Sequence, residues 1–351
     1  MNQLDELENI PSPALLLDVG KVESNLQQMI SIAGVDRLRP HLKTHKMREV
    51  VQLQIRAGIR KFKAATLAEL EMAADAGAAE VLLAIQPVGP NIARLAEVIA
   101  TYPDTSFFAV IDDLETAALL DQKCKGLGLF IDVDCGMHRT GVTFGSSLDL
   151  LIQEVRNLSQ AHLMGLHVYD GHLHDPDRVS RRASVLEIHQ QIQKHRNDSM
   201  TVIAGGSPTF ELWAEESGWD CSPGTSLFWD QGYSDSFPEL PFEIAAVLLT
   251  RVISKPGENR LCLDLGHKAV AAENPLDQRV LLPELPQAKF LGQSEEHLVV
   301  EVEDSHRFKP GDPLLAYPCH ICPTVALHRS AHLMRDGRSL NEEWRVAARD
   351  R

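Results

Sequence analysis

The sequence predicts a (β/α)8 barrel followed by a second, mostly β domain. Three observations carry that expectation. Eight short apolar runs recur with helical spacing between most of them, the pattern changes after Gly232, and polar or glycine-rich residues close the runs.

The runs, in order, are Leu38–Lys43, Lys61–Ala65, Glu80–Ile85, Ser106–Ile111, Leu127–Val133, Leu163–Tyr169, Thr201–Ala204 and Trp219–Ser222. Intervening stretches such as Leu67–Ala76 and Ile92–Tyr102 place apolar residues at helical spacing, as crossover helices do. The gap before the last run is the short one, with Pro208–Glu216 as a brief helix. A doubly wound open sheet is the alternative, but eight units in about two hundred residues suit barrel closure better. Beyond Gly232, Ile244–Ser254, Arg260–Leu265, His297–Val302 and Pro313–Tyr317 are expected as strands with no helices between them. Lys255-Pro256-Gly257 and Lys309-Pro310-Gly311 punctuate the joins. Ser12–Asp18 is a strand ahead of the barrel helix Lys21–Ala33, available to pair with the β domain. The expected domains are a barrel at 20–241 and a β domain built from 1–19 and 242–351, each of ordinary domain size.

Composition bounds the function. The 351 residues are 44% hydrophobic, and the formal charge of -15 argues against a nucleic-acid partner, because phosphate contacts need an excess of Lys and Arg. No apolar run is long enough to span a membrane, and the opening Met-Asn-Gln-Leu-Asp-Glu is no signal peptide. The cysteines, at 124, 135, 221, 262, 319 and 322, are too scattered to suggest a disulfide framework. A cytoplasmic enzyme is expected.

In a barrel of this kind, chemistry sits at the C-terminal ends of the strands. Those ends offer Lys43, Thr66, Gln86, Asp112, Asp134 with Arg139, Tyr169, Gly205-Gly206 and Ser222-Pro223-Gly224-Thr225. Lys43 belongs to the basic run Arg39-Pro40-His41-Leu42-Lys43-Thr44-His45-Lys46. At the end of a buried strand its ammonium is desolvated, which frees the amine to attack a carbonyl. A solvated basic loop is the competing reading. Gly205-Gly206-Ser207-Pro208-Thr209 and Ser222-Pro223-Gly224-Thr225 follow the seventh and eighth runs, where this fold recurrently holds phosphate. Their glycines let backbone N–H groups approach an anion, and their hydroxyls add donors; two ordinary turns are the alternative. An amine and a phosphate grip together suggest pyridoxal phosphate. Arg139 could then face the phenolic oxygen and Tyr169 the ring, although a rim salt bridge and a half-buried aromatic account for them as well. Near the C-terminus, His320 and Cys322 are two apart, which in an extended segment puts both on one face. Imidazole and thiolate suit zinc, with open positions for water or substrate. A buried structural pair is the alternative, and a redox role for Cys319 with Cys322 ranks below both.

Taken together, these motifs resemble those of fold-type III pyridoxal phosphate enzymes related to D-threonine aldolase and eukaryotic D-serine dehydratase. The resemblance rests on the lysine run, Tyr169-Asp170-Gly171-His172, Gly205-Gly206-Ser207-Pro208-Thr209, Cys221-Ser222-Pro223-Gly224-Thr225, Asp264-Leu265-Gly266-His267-Lys268 and His320-Ile321-Cys322-Pro323-Thr324, in that order along nearly the whole chain. It implies an alanine-racemase-type (β/α)8 TIM barrel with a β domain, Lys43 as the Schiff-base lysine, and a divalent metal (zinc, or manganese or magnesium) on His320 and Cys322. It further implies a homodimer and a lyase reaction on D-3-hydroxy amino acids. Retro-aldol cleavage to glycine and an aldehyde is the leading reaction, with His172 or a metal-bound water as base. β-Elimination to a keto acid and ammonia is the alternative, followed by racemization and by a non-catalytic cofactor carrier. One departure bears on the choice. Aldolases of this group commonly show His-x-Asp at the metal, and the dehydratases His-x-Cys, as here. No role emerges from the sequence for Asp264 or Lys268.

Overall fold

The computed structural model describes residues 7–351. The opening six residues, including the stretch judged above to be no signal peptide, lie outside the described residues. The chain divides into two compact units. One comprises Thr44–Met47, Thr225–Arg349 and the described part of Met1–Gln28; the other comprises Met29–Lys43, Arg48–Gly224 and Asp350–Arg351.

The second of these carries the barrel. Strand β1 (Ala14–Asp18) and helix α1 (Val19–Ala33) precede it in the chain. Then come α2 (Arg48–Arg56), β2 (Lys61–Ala64), α3 (Leu67–Asp75), β3 (Glu80–Leu83), α4 (Pro90–Thr101), β4 (Ser106–Ile111), α5 (Leu114–Lys123) and β5 (Gly128–Asp134). The series continues through β6 (Val142–Thr143), α6 (Ser146–Arg156), β7 (His162–Val168), α7 (Arg178–His195), β8 (Thr201–Ala204), α8 (Phe210–Glu216) and β9 (Asp220–Cys221). Seven of these strands pair in parallel in the order β2-β3-β4-β5-β7-β8-β9, with β6 added beside β5. Strand follows helix because the caps are written locally. Thr66, Asp113 and Asp177 each accept a backbone N–H from the first turn of α3, α5 and α7, satisfying donors that a helix leaves open. Leu82, Phe108, Val110, Phe130 and Ile203, drawn from four strands, form a buried apolar cluster of the barrel.

The segment expected as a first strand, Leu38–Lys43, is not one. It makes single parallel bridges, Leu38 to Cys221 and His41 to Lys63, and then turns into a 3-10 helix at Leu42–Thr44. Pro40 has no N–H to donate, and the facing position on the other side is Pro223, so a full ladder cannot form. The segment still links both edges of the curled sheet. Arg39 N–H donates to Cys221 O and His41 N–H to Pro223 O, while Lys63 N–H donates to Pro40 O, at 2.8, 2.8 and 2.9 Å.

In the β-rich unit, α9 (Gln231–Ser236) precedes β10 (Ala246–Ser254) and β11 (Arg260–Leu263). These are followed by β12 (Val280–Leu281), β13 (Lys289–Gln293), β14 (Leu298–Glu301), β15 (Pro313–Pro318), α10 (Ile321–Leu327), β16 (Ser330–Arg335) and β17 (Arg338–Arg345). As anticipated, β1 joins this sheet, antiparallel to β10 and parallel to β16. Among the described residues no α-helix lies between the four expected strands, as anticipated; α10 follows the last of them, its start disguised by the His-Ile-Cys-Pro stretch. His320 is its N-cap residue and Pro323 sits in its first turn, where the missing N–H costs nothing.

Candidate active site

Three basic side chains converge on one ring. Lys43 Nζ lies 5.6 Å from the centroid of the Tyr169 ring, Lys63 Nζ 5.6 Å, and Arg139 Cζ 4.9 Å. Lys43 is carried by the turn Leu42–Thr44, Lys63 by β2, and Tyr169 follows β7 directly. Arg139 comes from the loop after β5, which folds back because Gly141 adopts φ 102° with its N–H on Asp112 Oδ2 at 2.9 Å. A Cβ at Gly141 would stand 2.6 Å from Asp134 N, so no larger residue fits there. A guanidinium and two amines gathered over an aromatic face fit an aldehyde cofactor carrying a phosphate and a phenolate.

The glycine loops lie against the same ring. A Cβ on Gly206 would meet Tyr169 Cε2 at 3.4 Å. Gly205 has φ 80°, and a Cβ there would press on Trp213 Cδ1 at 2.8 Å. Gly224 N–H donates to Ser207 Oγ at 3.2 Å, which ties the two loops together, and Gly206 N–H donates to Thr209 Oγ1 at 3.1 Å. Both acceptors are hydroxyls able to rotate toward an anion. Ser222 is different: its buried hydroxyl donates to Arg39 O at 3.1 Å and so anchors the bridging segment. Thr225 groups with the β-rich unit, its hydroxyl 3.2 Å from Cys322 Sγ. Gln86 Nε2 donates to Asp112 Oδ2 and to Asp132 Oδ2, both at 3.0 Å. His172 is exposed and its imidazole lies over Gly136, where an added Cβ would fall 2.9 Å from Nε2. Two further strand-end residues hold turns: Thr66 caps α3, and Asp134 accepts from the Gly136 and His138 N–H groups.

Three residues absent from the expectations complete the cluster. Lys63, His167 and Asp132 are all buried, on β2, β7 and β5. Lys63 Nζ is 3.5 Å from His167 Nε2, and His167 Nδ1 is 2.7 Å from Asp132 Oδ1. Burial works against the Asp132 charge, but hydrogen bonds from His167, Thr140 and Gln86 hold its carboxyl down at about 2. Burial, helped by Lys63 and Arg139, lowers His167, so the neutral ring donates Nδ1–H to Asp132 and offers an Nε2 lone pair to Lys63. The signal for all three was available: a charged side chain inside a parallel barrel strand is anomalous. Attention to strand ends alone passed over it.

In the β-rich unit, His320 and Cys322 do meet, though not on an extended face. His320 caps α10 and Cys322 lies in its first turn. His320 Nδ1 is 2.6 Å from Glu273 Oε1, which leaves Nε2 for the hydrogen bond to Cys322. Burial opposes the His320 charge, yet Cys322, Asp230 and Glu273 raise the imidazole to about 9. Cys322 Sγ is also hydrogen-bonded to the hydroxyls of Thr44 and Thr225, at 3.1 and 3.2 Å, with either atom able to donate. Asp230 Oδ2 accepts the Ile321 N–H between the two, at 3.1 Å. A histidine backed by a carboxylate and facing a cysteine offers the nitrogen and sulfur that would hold a divalent ion. Among the described residues no group of three or more His, Cys, Asp or Glu side chains is placed to hold a metal. None of the six cysteines is in a disulfide. Asp264, without a role in the sequence, accepts from Ser12 Oγ, Thr250 Oγ1 and Arg251 N–H at 2.5, 2.6 and 2.8 Å, while Lys268 pairs at the surface with Glu295 and Glu296.

Residues 17–231 match the family described as alanine racemase, N-terminal domain, and residues 245–334 a serine dehydratase domain. The chain is 28% identical to a D-threonine aldolase of Arthrobacter sp., covering 98% of this chain and 94% of that one. It is 26% identical to a 3-hydroxy-D-aspartate aldolase of Paracoccus denitrificans, covering 99% and 94%. Among solved structures, D-threonine aldolase from Filomicrobium marinum superposes with a TM-score of 0.88 at 26% identity, over 98% of this chain and 97% of that one.

Proposed function

The chain belongs to the alanine racemase N-terminal domain family of fold-type III pyridoxal phosphate enzymes, and from that premise we propose a lyase that cleaves D-3-hydroxy amino acids to glycine and an aldehyde, dependent on pyridoxal phosphate and a divalent metal. The observation that carries the reading is the convergence of Lys43 and Arg139, with Lys63, on the Tyr169 ring beside Gly206.

Lys43 holds the cofactor through its aldehyde, Gly205, Gly206, Ser207 and Gly224 grip the phosphate, and Arg139 and Tyr169 flank the ring. Gln86 acts at one remove, by fixing Asp112 and Asp132. Ser222 and Thr225 belong to the same grip, the Ser222 hydroxyl also anchoring Arg39 O and the Thr225 hydroxyl lying beside Cys322 Sγ. The bound cofactor supplies a sink for the electron pair left on Cα. His320 and Cys322 would hold a divalent metal, zinc by preference for a cysteine ligand or else manganese or magnesium, and such an ion would supply Lewis acidity toward the substrate's 3-hydroxyl. The absence of disulfides supports a cytoplasmic setting.

One observation favours β-elimination to a keto acid and ammonia instead: Cys322 stands where the aldolases of this group commonly have aspartate. Incubation with D-threonine, pyridoxal phosphate and zinc or manganese tests both. Glycine with acetaldehyde supports the aldolase reading, ammonia with 2-oxobutyrate the alternative, and neither pair of products overturns both.

A further inference from the structure

We propose that Lys63 is a catalytic acid–base residue, the amine that takes the proton of the substrate's 3-hydroxyl and returns it to Cα, held in place by His167 and Asp132. The inference rests on the lyase reading above and names the base that reading leaves open.

The contrast with Lys61 is the starting point. Residues two apart on a strand share a face. Lys61 Nζ does what a structural lysine in a barrel does: it pairs with a carboxylate, Asp220 Oδ1 at 2.6 Å. Lys63, 2% exposed on the same strand, instead meets an imidazole and the Tyr169 ring. The charged groups around it come from every neighbouring element. Lys43 of the 3-10 turn and Arg139 of the loop after β5 disfavour its charge, while Asp132 of β5 and Asp170 after β7 favour it. Desolvation, with Lys43 next, prevails and brings the amine down to about 7.

His167 then fixes the orientation. Its Nδ1–H is committed to Asp132, so its Nε2 accepts one Lys63 N–H. The Lys63 lone pair remains available, on an amine 5.6 Å from the centroid of the Tyr169 ring. The proton of the 3-hydroxyl passes to that lone pair, the Cβ–O bond becomes the aldehyde C=O, and the Cα–Cβ electron pair stays on Cα. The same proton then moves from the Lys63 ammonium to Cα, giving glycine and restoring the amine. No external acid, base or oxidant is consumed.

The test uses the purified holoenzyme, its pyridoxal-phosphate-free form, and the variants Lys63→Met and Lys63→Arg. Borohydride reduction and peptide mapping come first, and the label is expected on Lys43 in all three proteins; a label on Lys63 would make it the cofactor anchor and overturn the proposal. Competitive acetylation of the cofactor-free protein, read by mass spectrometry, is expected to give Lys63 a half-reactive pH near 7, whereas exposed lysines titrate near the ordinary 10.5. In turnover, Lys63→Met is expected to lose about a hundredfold or more in kcat with cofactor absorbance retained, Lys63→Arg to fare no better, and added methylamine to restore part of the loss in Lys63→Met. Activity of either variant within about tenfold of the parent, well under the usual contribution of a general base, overturns it. If the parent enzyme yields neither product pair, the lyase reading has failed. The proposed proton transfer then fails with it, whereas product formation with Lys63→Met near parent activity makes the proposal fail alone.

Discussion

A buried lysine leaves a thermodynamic trace whether or not it is catalytic. Lys63 is expected to lose its proton near 7 when folded and near 10.5 when unfolded. Between those pH values the unfolded chain binds the extra proton, so stability rises with pH across that window and the full cost is present below 7. Lys63→Met removes the titrating group. In the cofactor-free protein the variant should be more stable than the parent by a few kcal/mol at pH 6, less the lost His167 bond, with the gap narrowing toward pH 10. Urea unfolding at the two pH values measures it; an equal gap at both contradicts a neutral Lys63. Glu273 invites a second test at this scale. Its carboxylate orients His320 through Nδ1. Glu273→Gln should weaken metal binding by roughly tenfold in a chelator competition, since partners behind a ligand commonly matter that much. Unchanged affinity would detach Glu273 from any metal.

Between residues and the whole lie the elements, where the sequence was legible to different depths. Runs with uninterrupted apolar character, such as Ser106–Ile111 and Thr201–Ala204, appear as strands with the expected limits, because a strand buried on both faces advertises itself. Leu38–Lys43 is broken by Arg39, Pro40 and His41, and Pro40, with no N–H to give, leaves it only single bridges to Cys221 and Lys63. The hairpin of β16 and β17 went unread because β17 is mostly exposed and charged; its signal was the Asp336-Gly337 turn, both residues at positive φ. At the candidate site, Lys43, Arg139 and Tyr169 were legible from strand ends, whereas Lys63, His167 and Asp132 sit one or more residues inside the strands. Asp264 was visible as a motif residue but its work is structural, joining the start of the chain to β10. Asp264→Ala, which strands three donors, should cost about 2 kcal/mol in urea unfolding without altering the product profile. A loss of activity at unchanged stability would instead place Asp264 in the chemistry.

At the scale of the whole molecule, the features that separate the candidate reactions are assembly and metal. No helix among the described residues is long and apolar enough to cross a membrane. The resemblance implies a homodimer, so light scattering should return about twice the chain mass of 38.9 kDa, and a fully active 38.9 kDa species would set that expectation aside. Metal removal cuts deeper. A racemase or a cofactor carrier needs only the Tyr169 cluster, whereas a lyase that ionises a hydroxyl also uses His320 and Cys322. Two protein ligands hold an ion less firmly than a closed site of four, so dialysis against a chelator should strip it. Lyase activity should then vanish while the cofactor's visible absorbance, which depends on Lys43, persists. Zinc should restore turnover at lower concentration than magnesium, because the Cys322 thiolate prefers the softer ion. Cys322→Asp should reverse that order, since a carboxylate accepts magnesium or manganese readily. Turnover that survives complete chelation would remove the metal from the mechanism and raise the racemase reading above both lyases.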